Sequence, residues 1–348
     1  MRSDELARIV SIVTDESFIN PSNLAEEREK FFKDKTYNPH FTYTEPDYNP
    51  DEYRKQLEQY LQRPQSGDPD LSFLIQERAR ELMTWVDLIK ERGNYTFSDI
   101  SRELFGLPKP KLVTEARRIL ENLPEEEAQD PKTLTAPRAS QRLLHIFKEE
   151  GMDDWNVELD PNLASRVQIN PMKRLMRIKE QREFSERDIA KLTVHEIKTH
   201  AFRYLYGEKQ EHPIFALGTK GYLETEEGLA TLNEERNGYR TRRGDERIAG
   251  RVLAVHEAQR KPFADVFKEL TKYVDEDLAF HLCVRVKRGL GDTSSPGGFT
   301  KDILYLKGWL AIKALPEDDL KYLYAGKVSH IHLPLLKRLV KEGKVRLP

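Results

Sequence analysis

Two histidines and a glutamate stand close together in the segment KLTVHEIKTHAFRYLYG (residues 191–207): His195, Glu196 and His200. Imidazoles offer neutral nitrogen ligands, and an adjoining carboxylate can take a proton from a water held by a metal. This is the composition a zinc hydrolase needs. Zinc-binding helices usually carry the two histidines four apart, as HExxH, so that both fall on one face. Here the spacing is HExxxH. In a regular α-helix, residues five apart diverge by roughly 140° and cannot chelate one ion. A turn of π-helix, bonded i→i+5, would return His195 and His200 to a common face. The spacing therefore predicts a π-bulge between them, unless both are ordinary residues of an amphipathic helix.

A catalytic zinc takes three protein ligands and keeps its fourth position open. Downstream, Tyr222-Leu223-Glu224-Thr225-Glu226-Glu227-Gly228-Leu229-Ala230 opens another helix. Thr225 is placed to cap it, and Glu226 or Glu227 to project from its first turn toward a metal. A helical glutamate following a histidine pair is the His₂Glu plan of other zinc peptidases. Acids in a first turn also occur simply because they suit the helix dipole.

The elements that must hold these residues are legible in outline. Periodicity predicts helices over residues 51–63, about 71–92, 98–106 and 112–123, with Pro64-Gln65-Ser66-Gly67-Asp68-Pro69 and Gly93-Asn94 as breaks. Residues 37–50, YNPHFTYTEPDYNP, read as an extended segment. The acidic, proline-bearing stretch 124–137 is the candidate boundary between a region 1–135 and a domain 136–348. After it, alternating apolar residues over 155–180 read as short antiparallel strands, with turns at Asp160-Pro161-Asn162 and Asn170-Pro171. Ser185, with Asp188 three residues on, approximates a capping box for the histidine-bearing helix. The remainder reads mostly helical, giving an α+β chain weighted toward α.

Composition removes other classes. Of 348 residues, 57 are Lys or Arg and 59 Asp or Glu, a formal net charge of −2. That balance argues against a dedicated nucleic-acid binder. Cys283 is the only cysteine, which excludes an intrachain disulfide and a thiolate zinc cluster and fits a reducing, cytoplasmic setting. The N-terminus lacks the pattern of a signal peptide, and no stretch approaches the ~18 apolar residues of a membrane span.

HEIKTH followed by TEEGLA resembles the tyrosine-carboxypeptidase family of zinc metallopeptidases, which includes microtubule-associated enzymes and bacterial proteins with a QEGLA motif. The segment INPMKRLMRIKEQREFSERDIAKLTVHEIKTH is similar to that family's strand-then-zinc-helix unit. Arg285, Arg288-Gly289, Asp292, Pro296-Gly297, Phe299-Thr300-Lys301-Asp302, Tyr305-Leu306 and Gly308 resemble its C-terminal signature, and YNPHF at 37–41 is similar to an upstream segment.

The resemblance implies a zinc-peptidase-like core, with His195 and His200 as ligands of one Zn2+ and Glu196 as general base. It implies Glu227, the glutamate shared by EEGLA and QEGLA, as third ligand. Glu226, at the position that varies to Gln, better suits a hydrogen bond to a ligand. The implied activity is release of a C-terminal Tyr or Phe from a peptide or protein. Holding a free α-carboxylate calls for Arg or Lys. Arg285, Arg288 and Lys301 flank the loop GLGDTSSPGGFT, and the resemblance favours Arg288 and Lys301. Phe299 and Tyr305 are candidates for an apolar slot. The strand at 174–180 is a candidate for adding substrate backbone at its edge, and equally for a buried core strand. His212, His256, His281, His330 and His332 have no partner at ligand spacing. Two other readings stand beside this one: a non-catalytic interaction module docking through helices 51–123, and a zinc endo- or aminopeptidase.

Overall fold

The computed structural model describes residues 2–63, 66–125, 130–161, 163 and 166–348. The expected break at Pro64-Gln65, the middle of the boundary stretch at 126–129, and Asn162 lie outside the described residues. The chain begins with α1 (Arg2–Val13), α2 (Leu24–Lys33), α3 (Pro50–Leu61), α4 (Pro69–Lys90), α5 (Thr96–Phe105) and α6 (Pro110–Glu121). Then come β1 (Leu134–Thr135), α7 (Ala136–Glu149), β2 (Asn156–Asp160), β3 (Val167–Asn170), β4 (Leu175–Lys179), β5 (Glu183–Phe184) and α8 (Glu186–Leu192). A π-helical run, Thr193–Ala201, joins α8 to α9 (Phe202–Glu208). The rest is helical: α10 (Ile214–Leu217), α11 (Tyr222–Arg236), α12 (Arg242–Ala258), α13 (Phe263–Leu270), α14 (Glu276–Lys287), α15 (Leu304–Lys313), α16 (Glu317–Leu323) and α17 (Leu333–Lys341). The fold is α+β and predominantly helical. Among the described residues, no helix is long and apolar enough to cross a membrane.

The chain divides into two compact units. The first comprises Met1–Glu125 and Thr241–Lys307, so residues 241–307 belong with the N-terminal helices. Within it α3 packs on α4, and α12 on α6, α13 and α14. Phe31 of α2 sits against Phe263, Phe267 and Phe280 at ring-centroid distances of 5.1, 4.8 and 5.4 Å. Edge-on and tilted contacts of this kind add to the area each ring buries. Residues 37–49 form no helix and run along the loop that follows α14, and Pro50 already opens α3. His40 bridges Asp292, and Tyr43 Oη donates to the Leu290 carbonyl at 2.6 Å while accepting from Gly289 N at 2.8 Å.

The second unit comprises Glu126–Arg240 and Gly308–Pro348. Its three-stranded sheet has the order β2-β4-β3, and β1 pairs separately with β5. β3 runs antiparallel to β4, with Val167 opposite Ile178, but β2 runs parallel to β4, with Asn156 opposite Leu175. The expectation of purely antiparallel strands is therefore corrected to a mixed sheet. Period-two alternation tells which face a residue takes, not which strand lies beside it. Here the chain leaves β2, passes to the far side, and returns between its predecessors as β4. The central place of β4 also removes it as a sheet edge for substrate addition, since both of its ladders are filled. Met176 and Ile178 on one face of β4 are fully buried with Leu143, Phe147, Trp155, Phe184, Ile189, Ile197 and Ala201.

Candidate metal centre

The helix that carries the histidines starts as its residues require. Ser185 Oγ accepts from Asp188 N at 3.1 Å, and Asp188 Oδ2 accepts from Ser185 N at 2.9 Å, a reciprocal capping box. After α8 the backbone widens into the π-helical run Thr193–Ala201, nine residues long rather than one widened turn. Thr199 Oγ1 reinforces the wide turn by donating to the Val194 carbonyl, five residues back, at 2.9 Å. Ile197 and Ala201 keep their side chains in the core. The two imidazoles come onto a common face, with ring centroids 5.0 Å apart.

His195, His200 and Glu227 form one group whose potential ligand atoms all lie within 4.8 Å of one another. What surrounds the rings decides which nitrogen each can offer. His195 Nδ1 lies 2.7 Å from Glu234 Oε1, and His200 Nδ1 lies 3.0 Å from Glu226 Oε1. A carboxylate only accepts, so each Nδ1 carries a proton and Nε2 is the nitrogen left for a metal to take. Carboxylate partners of this kind fix ring orientation in metal sites and raise the basicity of the ligating nitrogen. Two Nε2 atoms and a carboxylate are a donor set that fits zinc.

Helix α11 supplies three of these acids. Its N-cap is Gly221, in the left-handed region, and not Thr225. Thr225 is buried one turn further in, where its hydroxyl pairs with His330 Nδ1 at 2.9 Å and accepts from His330 N at 2.8 Å. Glu226 and Glu227 consequently project from beyond the first turn. Gly228 has a role of its own: a Cβ there would lie 2.5 Å from the carbonyl of Gly308, on α15. The two backbones touch, which sets the depth at which Glu227 sits. Glu234, missed in the sequence, lies seven residues after Glu227 and so on the same helix face. That spacing was the available signal.

The site is strongly acidic. Burial alone would lower the His195 pKa, but its hydrogen bond to Glu234 and the charges of Glu196, Glu234 and Glu227 raise it to about 9. A field that holds a proton on an imidazole also favours a cation in its place. Burial works to raise the pKa of Glu226, and Arg203, Lys327 and His200 outweigh it, holding the carboxyl at about 2. Arg203 is fully buried and fixed at both ends: Nη1 bonds Glu226, Nε donates to the Leu323 carbonyl at 3.0 Å, and Nη2 to the Val328 carbonyl at 2.7 Å. Lys191 Nζ holds the second oxygen of Glu234 at 2.9 Å. Glu196, next to His195, is half-buried.

The remaining expected site residues lie in the other unit. Arg285 donates to Asp302 through Nε and Nη2 at 2.5 and 2.6 Å. Arg288 and Lys301 both bond Glu16. Phe299 is fully buried, with Phe97 and Phe105 against its ring at 5.8 and 5.4 Å, and Tyr305 carries the Arg251 guanidinium 3.8 Å over its ring. Of the other histidines, His332 Nδ1 pairs with Thr219 Oγ1 at 3.1 Å.

Comparison with known proteins places the chain in one lineage. The profile of a family described as microtubule-associated tyrosine carboxypeptidase matches residues 29–348. Microtubule-associated tyrosine carboxypeptidase 1 of Mus musculus is 28% identical over 347 residues, covering 95% of this chain and 63% of that protein. Putative tyrosine carboxypeptidase MATCAP2 of Mus musculus is 37% identical over 161 residues, 44% of this chain and 31% of the relative, and its Homo sapiens counterpart is 35% identical over the same length. The chain thus spans less than two thirds of the length of the relatives it matches. With a match over nearly its whole length, the chain belongs to the microtubule-associated tyrosine carboxypeptidase family.

Proposed function

We propose that this chain is a zinc-dependent carboxypeptidase that releases a C-terminal aromatic residue, Tyr or Phe, from peptides or proteins. The observation that carries the reading is the convergence of His195, His200 and Glu227, with both Nδ1 atoms already engaged by carboxylates. One zinc ion held there would polarise the scissile carbonyl and acidify a water. Glu196 would take a proton from such a water at a carboxylate oxygen and return it to the leaving amine. Glu234 and Glu226 keep the two imidazoles in the tautomer and orientation that present Nε2. The widened helix is what allows an HExxxH spacing to serve as a ligand pair.

Arg288 and Lys301 are the proposed holders of the terminal carboxylate, with Arg285, Phe299 and Tyr305 around them. This assignment rests on the family resemblance and on the need for a guanidinium or ammonium opposite an α-carboxylate. Metal analysis of the purified chain tests the zinc assignment directly, and absence of stoichiometric zinc overturns it. Peptides ending in Tyr, Phe or Ala, each with a free or amidated C-terminus, test the rest. Cleavage of the free aromatic ends alone is the expected outcome; equal cleavage of amidated peptides removes the carboxypeptidase reading in favour of an endopeptidase.

A further inference from the structure

Within the first unit, the end of α14 and the 3-10 turn Thr300–Ile303 bring several cations up to two carboxylates, Asp302 and Glu16. Arg285 grips Asp302 bidentately, with Arg251 Nε 3.7 Å from the same group. Arg288 and Lys301 instead share Glu16, which lies on a separate 3-10 turn, Glu16–Ile19, near the N-terminus. Glu16 Oε2 accepts from Arg288 Nη2 at 2.8 Å, and Oε1 from Lys301 Nζ. Asn20 Oδ1, from the end of that turn, accepts from Arg288 Nη1 at 3.0 Å.

The two sides of this contact are built differently. Arg288 is only 6% exposed, its guanidinium lies 4.8 Å over the buried ring of Phe299, and its Nε is buried without an acceptor among the described residues. Lys301 keeps 12% of its side-chain surface and Glu16 25%. The cations are thus anchored in the core, whereas the carboxylate is delivered from the surface by a four-residue turn. Take Glu16 away, and the buried Arg288 guanidinium and the Lys301 ammonium both lose the carboxylate they share. Desolvated cations so placed bind an anion far more strongly than exposed ones.

We propose that Arg288 and Lys301 form a carboxylate-binding site in which Glu16 is the built-in occupant, exchanged for the α-carboxylate of a peptide C-terminus. The identity of the incoming carboxylate rests on the carboxypeptidase reading; the site itself does not. Glu16 then acts as a regulator of ligand entry, and the turn Glu16–Ile19 is released when the ligand arrives.

Equilibrium binding to the full chain tests this without turnover. N-acetyltyrosine and N-acetyltyrosinamide are titrated into wild type, Glu16→Gln and the double variant Glu16→Gln/Arg288→Gln, each with and without zinc. Glu16→Gln should bind the acid about tenfold more tightly than wild type. The amide should gain nothing, and the double variant should lose the gain. Should Glu16→Gln fail to fold, hydrogen exchange on wild type decides: the acid, but not the amide, raises exchange at Ser17 and Asn20. Equal affinity of wild type and Glu16→Gln, equal affinity for acid and amide, or unchanged exchange each overturns the proposal and leaves Glu16 as a structural pin. Tighter binding of the acid in zinc-free Glu16→Gln supports it even if the chain cleaves no peptide, so the failure of the metal reading and of this one are told apart.

Discussion

His195 Nδ1 lies 2.7 Å from Glu234 Oε1, and Lys191 holds the other oxygen of the same carboxylate. The His195 ring is therefore oriented by a residue on a different helix. Glu234→Ala frees the ring and lowers the basicity of Nε2. Losing such a partner typically weakens metal binding by about 10–100-fold. Competition with a chelator of known affinity measures this, and zinc affinity equal to wild type would show that Glu234 orients nothing.

Glu196→Gln should keep zinc and lose turnover. The amide is nearly isosteric but cannot take up a proton, and removal of a general base costs about 10²–10⁴-fold in rate. Metal content and peptide hydrolysis are measured on the same preparation. Activity within a factor of a few of wild type places the base elsewhere.

Gly228→Ala separates two opposing effects. Helix propensity favours alanine by about 1 kcal/mol. The added Cβ, however, would lie 2.5 Å from the Gly308 carbonyl, where backbone and not a mobile side chain must yield. Overpacking of this kind costs about 1–3 kcal/mol, so the net effect is destabilisation in a denaturant titration. Because Glu227 is the adjacent residue, zinc affinity should fall as well.

The ion pairs of Glu16 make stability depend on acid pH. Burial would raise its pKa, but Lys301 and Arg288 dominate and hold the carboxyl at about 2, against 4.5 when unfolded. Between these values the unfolded chain binds the proton and the folded chain does not. The stabilisation is thus complete above pH 4.5 and is lost as pH falls toward 2. Melting curves of wild type and Glu16→Gln should converge across that window; a constant gap would show that the charge on Glu16 does not contribute.

Much of the centre was legible because its signals are local. The Ser185–Asp188 box, the five-residue histidine spacing and the paired glutamates before Gly228 each express a requirement of one helix. Thr225 was misread as a cap because its hydroxyl is engaged by His330, a partner 105 residues away that no local pattern reveals. The same holds for the parallel pairing of β2 with β4, where alternation gives faces but not neighbours. It holds most of all for Glu16, 272 residues from Arg288: in a chain with 59 acids, nothing in the sequence marks which one reaches a given cation. Residues 37–49 lie outside any helix, Pro50 opens α3, and the place of the segment along the 289–293 loop is set by hydrogen bonds between residues about 250 apart in sequence.

The π-helical run also bears on how such a site can change over time. A wide turn is what a helix forms when one residue is inserted between ends that stay anchored. Here the anchors are the Ser185 box on one side and buried Arg203 on the other. Lys198, within the run, is exposed and pairs only loosely at the surface, with Glu150 at 3.1 Å. Deleting it would turn HEIKTH into HEITH, two histidines four apart on an ordinary α-helix, with both anchors left in place. The HExxxH and HExxH spacings are then neighbouring solutions, a single codon apart.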